Sequence, residues 1–240
     1  MKRIIFWLYQ PYKYLIFFPL FVAETIFCSL NAALFSMLFA PRIGSYFGVL
    51  WAKISSWITP MLVTVKGREN IDPKQSYVVV SNHQSAYDIF VLYGYLGIDF
   101  KWVMKKELRN APGIGWASEK VGHIFIDRTS ARSAIHSIEA AKKNICNGTS
   151  VVIFPEGTRS GSNQMNRFKK GAFKIAFELE LPILPVSIKD SHKVLGKGFF
   201  NLMPGRTQLI IHQPINIKEY TENHDELMQK TQTVIASALQ

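Results

Sequence analysis

The sequence predicts an α/β layered domain preceded by an N-terminal, membrane-associated helical pair. Three observations predict it. Residues 15–40 are almost continuously apolar, short β-branched runs alternate with helical patterns from Val65 onward, and glycine, proline and polar clusters separate them. A chain of 240 residues can bury one substantial core, with or without an appendage. A hydrophobic content of 48% excludes a disordered protein. The expected division is an anchoring unit over 1–64 and an α/β domain over 65–240.

As a helix, residues 15–40 would be about 39 Å long at ~1.5 Å per residue, enough to cross a bilayer core with some tilt. Pro19 and Glu24 interrupt the run. Large apolar side chains each contribute roughly −0.3 to −0.6 kcal/mol to insertion against about +3 for one acid, so the stretch outweighs Glu24. A second stretch, 43–63, has Trp51, Trp57 and a central Lys53. There the gain and the lysine penalty nearly cancel, which suits an interfacial helix and a hairpin-like anchor. Lys2, Arg3 and Lys13 precede the pair, and Lys66 and Arg68 follow it, so both ends are expected on the cytoplasmic side. A cleaved signal peptide fits poorly, because the run is too long and no convincing small-x-small site ends it. The competing reading is two buried helices of a soluble domain.

The remaining elements follow in order. Residues 77–81 read as a buried strand and 89–92 as the start of an apolar helix. Gly94 and Gly97 break the chain before a strand over 100–104 that carries Lys105 and Lys106 at its end. A turn at 112–116 leads to a strand over 123–126, closed by Asp127 and Arg128. Ile135, Ile138 and Ile145 mark a helix stopped at Gly148. Residues 150–154 are the next strand, running into Pro155-Glu156-Gly157-Thr158-Arg159. Ala172, Ile175, Ala176 and Leu179 repeat at helical spacing. Strands over 183–188 and 208–212 follow, and Leu227, Thr231, Val234, Ile235 and Ala238 share one face of a closing helix.

The formal net charge of +11 points to a polyanionic partner: nucleic acid, anionic lipid headgroups or a phosphorylated substrate. Cys28 and Cys146 suggest no disulfide framework, and six histidines without metal-ligand spacing predict no metal. Asn147-Gly148-Thr149 matches a glycosylation sequon, but Asn-Gly is first a turn former and is read as one.

Chemistry concentrates at Asn82-His83-Gln84-Ser85-Ala86-Tyr87-Asp88, between a strand and a helix. A spacing of five separates His83 and Asp88 around a continuous helix, whereas a turn can fold the imidazole back onto the carboxylate. Neutral imidazole suits the removal of a hydroxyl proton near neutral pH, and a carboxylate on its other nitrogen would fix the tautomer. The same residues support a plainer reading, since Ser85-x-x-Asp88 ahead of an apolar run is also a helix-capping pattern. Lys105, Arg128 and Arg159 each close a hydrophobic strand. Ligands of α/β sheets gather at carboxyl ends of strands, so these cations are expected to form a phosphate cradle, with Gly157 and Thr158 adding donors.

Four ordered blocks carry a resemblance: Asn82-His83-x-x-x-x-Asp88, Gly122-x-x-Phe125-Ile126-Asp127-Arg128, Phe154-Pro155-Glu156-Gly157-Thr158-Arg159 and Leu181-Pro182-Ile183-Leu184-Pro185-Val186. Together, over about 65–215, they resemble the glycerolipid acyltransferase family, and within it the bacterial 1-acylglycerol-3-phosphate acyltransferases. The resemblance implies a mixed, largely parallel sheet of about seven strands flanked by helices. It implies His83 as general base and Asp88 as its partner. Lys105, Arg128, Glu156, Gly157, Thr158 and Arg159 would bind the acceptor, and Pro185 would shape the acyl-donor side. The implied reaction transfers a fatty acyl group from acyl carrier protein or coenzyme A to the sn-2 hydroxyl of 1-acyl-sn-glycerol 3-phosphate, giving phosphatidic acid, with no further cofactor. The implied setting is the cytoplasmic side of the inner membrane. One rival is the same chemistry on another acceptor: glycerol 3-phosphate, another lysophospholipid or an aminolipid. The other is a non-catalytic basic protein that binds membrane or nucleic acid. Intact His83 and Asp88, and the lack of a basic helix or aromatic RNA-binding signature, speak against it, so no nucleic-acid partner is expected.

Overall fold

A computed structural model describes residues 2–127, 137–142, 145, 147–196, 201–220 and 223–240, with side chains from Phe6 onward. The chain opens with α1 (Lys2–Tyr12), which passes through a π-helical turn (Lys13–Phe17) into α2 (Phe18–Leu38). Pro19 sits in the first turn of α2. There its missing N–H costs least, so it does not end the helix. Residues 39–40 reverse the chain into α3 (Pro41–Ile58).

The two long helices pack antiparallel and tightly. A Cβ on Gly44 of α3 would fall 1.8 Å from Ser36 Oγ and 2.4 Å from the Ala32 carbonyl of α2, so only glycine fits. Glu24 faces inward, where its Oε1 accepts from Ser55 Oγ of α3 at 2.6 Å. The outer face stays apolar: Leu15, Leu20, Ile26, Phe27 and Leu30 are exposed. Only 22% of the most apolar window of this helix is buried, which is not how the core helix of a soluble domain packs. The second apolar stretch differs from its expectation. Its helix ends at Ile58, and Met61–Lys66 forms strand β1.

The body is one seven-stranded sheet in the order β1-β7-β6-β2-β5-β3-β4. Its further strands are β2 (Val78–Ser81), β3 (Phe100–Lys105), β4 (Ile124–Ile126), β5 (Ser150–Ile153), β6 (Ile183–Lys189) and β7 (Gly205–Ile211). Strands β6, β2, β5, β3 and β4 run parallel; β7 is antiparallel to β6, and β1 pairs parallel with β7. This is the mixed, largely parallel sheet the sequence led us to expect. The central strands β2, β5 and β6 are buried on both faces, as parallel sheets require, while β1 at the edge alternates with exposed residues. Val79 packs with Tyr87, Phe90 and Leu92 toward α3 and α4 (Asp88–Tyr95). Val78 and Val80 pack on the other face, with α6 (Gly171–Leu179) and α8 (His224–Ser237). Helix α5 (Ile114–Val121) and the single turn α7 (Ser191–Val194) complete the elements used below.

The helical pattern at Ala172, Ile175, Ala176 and Leu179 is the buried face of α6. In α8, Leu227, Thr231 and Ile235 are buried, while Val234 and Ala238 are partly so. Asn147 and Gly148 form the expected turn, both at positive φ. Arg128, Ile135 and Cys146 lie outside the described residues.

Candidate active site

The site is built where β2 ends, in the middle of the sheet. Asn82 is buried, and its side chain acts as a surrogate peptide. Its Nδ2 donates to the Ile188 carbonyl at 2.9 Å and its Oδ1 accepts from Ile188 N at 2.8 Å. The chain is thereby pinned to β6 just before it turns. His83 and Asp88 then meet as the turn allows: Nδ1 and Oδ2 are 2.7 Å apart. The same Oδ2 accepts the backbone N–H of Gln84 at 2.6 Å and of Ser85 at 2.9 Å, while Ser191 Oγ donates to Oδ1. Tyr87 N donates to Ser85 Oγ at 3.2 Å. The catalytic and the capping readings of the motif are therefore one arrangement. A single buried carboxylate orders the first turn of α4 and the imidazole together.

A carboxylate receiving two backbone donors can only accept from the ring, so Nδ1 carries the proton and Nε2 is the basic atom. The ring is held flat against Phe154, with centroids 4.0 Å apart and planes 11° from parallel. Phe154 in turn stacks on Trp102 at 5.8 Å. Two backbone bonds join this turn to the loop after β5: Ser160 N donates to the His83 carbonyl at 2.8 Å and Gly161 N to that of Gln84 at 3.1 Å.

Glu156 is buried beneath that junction. Its Oε1 accepts His83 N and its Oε2 accepts Asn166 N, each at 2.7 Å. Loss of hydration pushes its carboxyl pKa up, against the pull of those two bonds. The resemblance implied an acceptor-binding role for Glu156, yet the structure turns both its oxygens onto backbone amides.

His83, Gln84, Ser85, Gly157, Thr158, Arg159 and Gly196 line a cleft of about 490 Å³. Gly157 takes φ +72, a left-handed conformation that costs other residues about 1–2 kcal/mol. A Cβ there would also stand 3.1 Å from Lys169 Nζ. Lys169 is thus a cation beside the cleft, and the sequence reading passed over it inside a polar loop. Ser191 was passed over too, and Asn82 and Phe154 stood in the motif blocks without a role of their own. The signals for Lys169 were the basic run around Phe168 and its place ahead of α6.

Of the three expected cations, Arg159 lines the cleft. Lys105 does not: it ends β3, two strands from β2, about half exposed, and pairs with Glu107 Oε1 at 3.3 Å. Lys106 pairs with Asp127 at 2.5 Å. Pro185 is buried within β6, in register with Val80.

A second, apolar groove of about 360 Å³ adjoins the first and shares Arg159 and Gly196 with it. Phe17, Phe18 and Phe21 of the N-terminal helix, with Trp51, Phe90 and Leu195, wall it. His83 with its carboxylate partner, Arg159 and an apolar groove walled by the N-terminal helices form one connected site whose polar and apolar halves suit an amphiphile.

Comparison with known proteins gives the same class. The profile of the Acyltransferase family matches residues 62–189. A 1-acyl-sn-glycerol-3-phosphate acyltransferase of Chlamydomonas reinhardtii is 31% identical over 97% of this chain and 68% of its own length. The alpha form of that enzyme from Mus musculus is 36% identical over 66% of this chain and 56% of its own. The chloroplastic enzyme of Brassica napus is 35% identical over 79% and 54%. The chain thus spans between about half and two thirds of the length of these curated relatives. The crystal structure of the 1-acyl-sn-glycerophosphate acyltransferase PlsC from Thermotoga maritima superposes with a TM-score of 0.83, at 28% identity, covering 100% of this chain and 96% of that one. The protein belongs to the Acyltransferase family, and it is an enzyme of that class.

Proposed function

We propose that this enzyme transfers a fatty acyl group from a thioester, of acyl carrier protein or of coenzyme A, to the sn-2 hydroxyl of 1-acyl-sn-glycerol 3-phosphate, giving phosphatidic acid. The observation that carries the reading is the junction of the two clefts at Arg159. An acceptor with a phosphate at Arg159 and its acyl chain in the phenylalanine-walled groove brings its glycerol hydroxyl to His83. Lys169 adds positive charge to the same phosphate. Three of the four relatives and solved structures described above are named for 1-acyl-sn-glycerol 3-phosphate, and the fourth for its short form.

In this reading Nε2 of His83 takes the hydroxyl proton as the oxygen attacks the thioester carbonyl, and Asp88 stabilises the imidazolium. Collapse of the tetrahedral intermediate breaks the C–S bond, and the proton passes to the departing thiolate. No side chain becomes acylated. Proton removal contributes roughly 10²- to 10⁴-fold, and the remaining acceleration rests on holding the acceptor by phosphate and chain.

Burial of the exposed apolar face of α1 and α2 in a bilayer would hold the groove near headgroup depth, so that a single-chain lipid enters without full transfer to water. The positive residues flanking the helical pair favour the cytoplasmic face of the inner membrane. The deciding experiment is acyl transfer by purified protein over a panel of acceptors, with mass spectrometry of the products. Turnover of 1-acyl-sn-glycerol 3-phosphate above glycerol 3-phosphate, other lysophospholipids and aminolipids is expected. Preference for an acceptor without an acyl chain would remove the groove from the argument.

A further inference from the structure

At the opposite end of the strands lies a cavity of about 470 Å³, nearly the size of the His83 cleft. Its walls include Gly97, Ile98 and Asp99, which lead into β3, and Gly148, just ahead of β5. These are the amino ends of parallel strands, whereas His83 and Arg159 follow the carboxyl ends of β2 and β5. Four residues of β2, about 13 Å at ~3.3 Å each, separate the two levels.

One face of α3 forms the long wall, contributing Arg42, Tyr46, Val49, Lys53 and Trp57. Arg68 closes the opposite side. It is held across the end of α4 by its Nη2 donating to the Tyr95 carbonyl at 2.7 Å, and Gly97, at φ +88, leaves room for it. The Lys53 stem lies against Gly94. Three cations therefore face the cavity. Among the described residues Asp99 is the one lining carboxylate, and buried Lys101 stands 3.5 Å from its Oδ2 and donates to Ser45 Oγ at 2.9 Å. Among those residues no other lining acid faces the three cations.

One observation indicates what fits. Tyr46 and Trp57 at the rim are 66% and 64% exposed, and they continue the apolar surface of Ile43 and Leu50 on α3. Exposed aromatic residues beside cations are what a protein presents at headgroup level.

We propose that this cavity is a second lipid site, separate from catalysis, that binds the phosphate-ester headgroup of a neighbouring anionic membrane lipid. The three cations take the phosphate. The α3 helix, which also walls the acyl groove through Trp51, is thereby fastened to the membrane from its other side.

The test is flotation of the full chain with vesicles of phosphatidylcholine alone or mixed with phosphatidylglycerol. The wild-type protein is expected to prefer the mixed vesicles. Arg42→Gln/Lys53→Gln should lose about 5-fold of that preference per cation removed, with acyl transfer to a detergent-dispersed acceptor unchanged. Val49→Cys, blocked after folding with a bulky maleimide, keeps every charge and should lose the preference too, with maleimide-treated wild type as control. Equal preference in wild type and the double variant overturns the site. An unaltered preference in the blocked Val49→Cys protein shows diffuse charge without a pocket, and also overturns it. Thermal stabilisation by free glycerol 3-phosphate that depends on Arg42 and Lys53, without any vesicle preference, assigns the cavity to a soluble phosphate ester and overturns the lipid assignment.

Discussion

Glu156 Oε1 accepts the backbone N–H of His83 at 2.7 Å, so an acid from the loop after β5 fixes the residue that carries the imidazole. Its Oε2 accepts Asn166 N in the same way, and one carboxylate thus ties together the two loops that frame the cleft.

Glu156→Gln tests that role. The amide supplies one oxygen for two N–H donors and turns an NH2 toward the other. A buried unpaired donor costs about 1–3 kcal/mol. The expected outcome is a kcat lower by about 10-fold or more, a melting temperature lower by several degrees, and a nearly unchanged KM for the acceptor. Steady-state kinetics checks it, since a direct contact to the acceptor would raise KM instead.

His83→Ala should reduce kcat by at least the roughly 10²- to 10⁴-fold that proton removal supplies, with unchanged thermal stability and vesicle binding. Asp88→Asn should lose comparable activity and stability as well, because three N–H donors and the Ser191 hydroxyl converge on its carboxylate. Wild-type-like turnover in the His83 variant would end the general-base assignment.

Arg159→Ala removes a charge-assisted contact worth about 1.5–3 kcal/mol, so KM for a phosphorylated acceptor should rise about 10- to 100-fold. Lys169→Ala should act in the same direction and less. An acceptor lacking the phosphate is the control. An equal loss with that acceptor would show that neither cation reads the phosphate.

His123 gives the protein an acid limit. Its Nδ1 accepts Trp102 N at 3.3 Å, and its Nε2 lies 3.4 Å from the Tyr93 hydroxyl. Loss of hydration, with a smaller contribution from Lys101, pushes its pKa from 6.5 down to about 3. The unfolded chain therefore binds a proton that the folded chain refuses. Stability is intact above pH ~6.5 and falls progressively as pH drops toward 3. Melting curves over that range should slope downward in the wild type. His123→Asn, whose side-chain oxygen can still accept Trp102 N, should flatten them.

Much of this was legible in one dimension. The strands over 100–104, 123–126, 150–154 and 183–188 are strands, because β-branched runs bounded by glycine and proline have few other ways to bury both faces. His83 and Asp88 could be paired on paper because a turn constrains neighbours five apart. Lys105 could not be placed that way. Whether a strand-end cation reaches a cleft depends on where its strand lies in the sheet, and β3 lies beyond β5, where Lys105 finds Glu107. Glu156 depends on the fold in a related way, since only the folded loops turn both its oxygens onto backbone amides.

The sequence by itself determined the layered class, the apolar N-terminal helices, and the histidine and carboxylate at the end of β2, since each is written in local periodicity or in residues a few positions apart. Tertiary structure alone decided which cations share the cleft, that phenylalanines of the anchor wall a groove beside it, and that a second cationic cavity opens at the amino ends of the strands. These depend on strand order and helix packing, which bring together residues tens of positions apart.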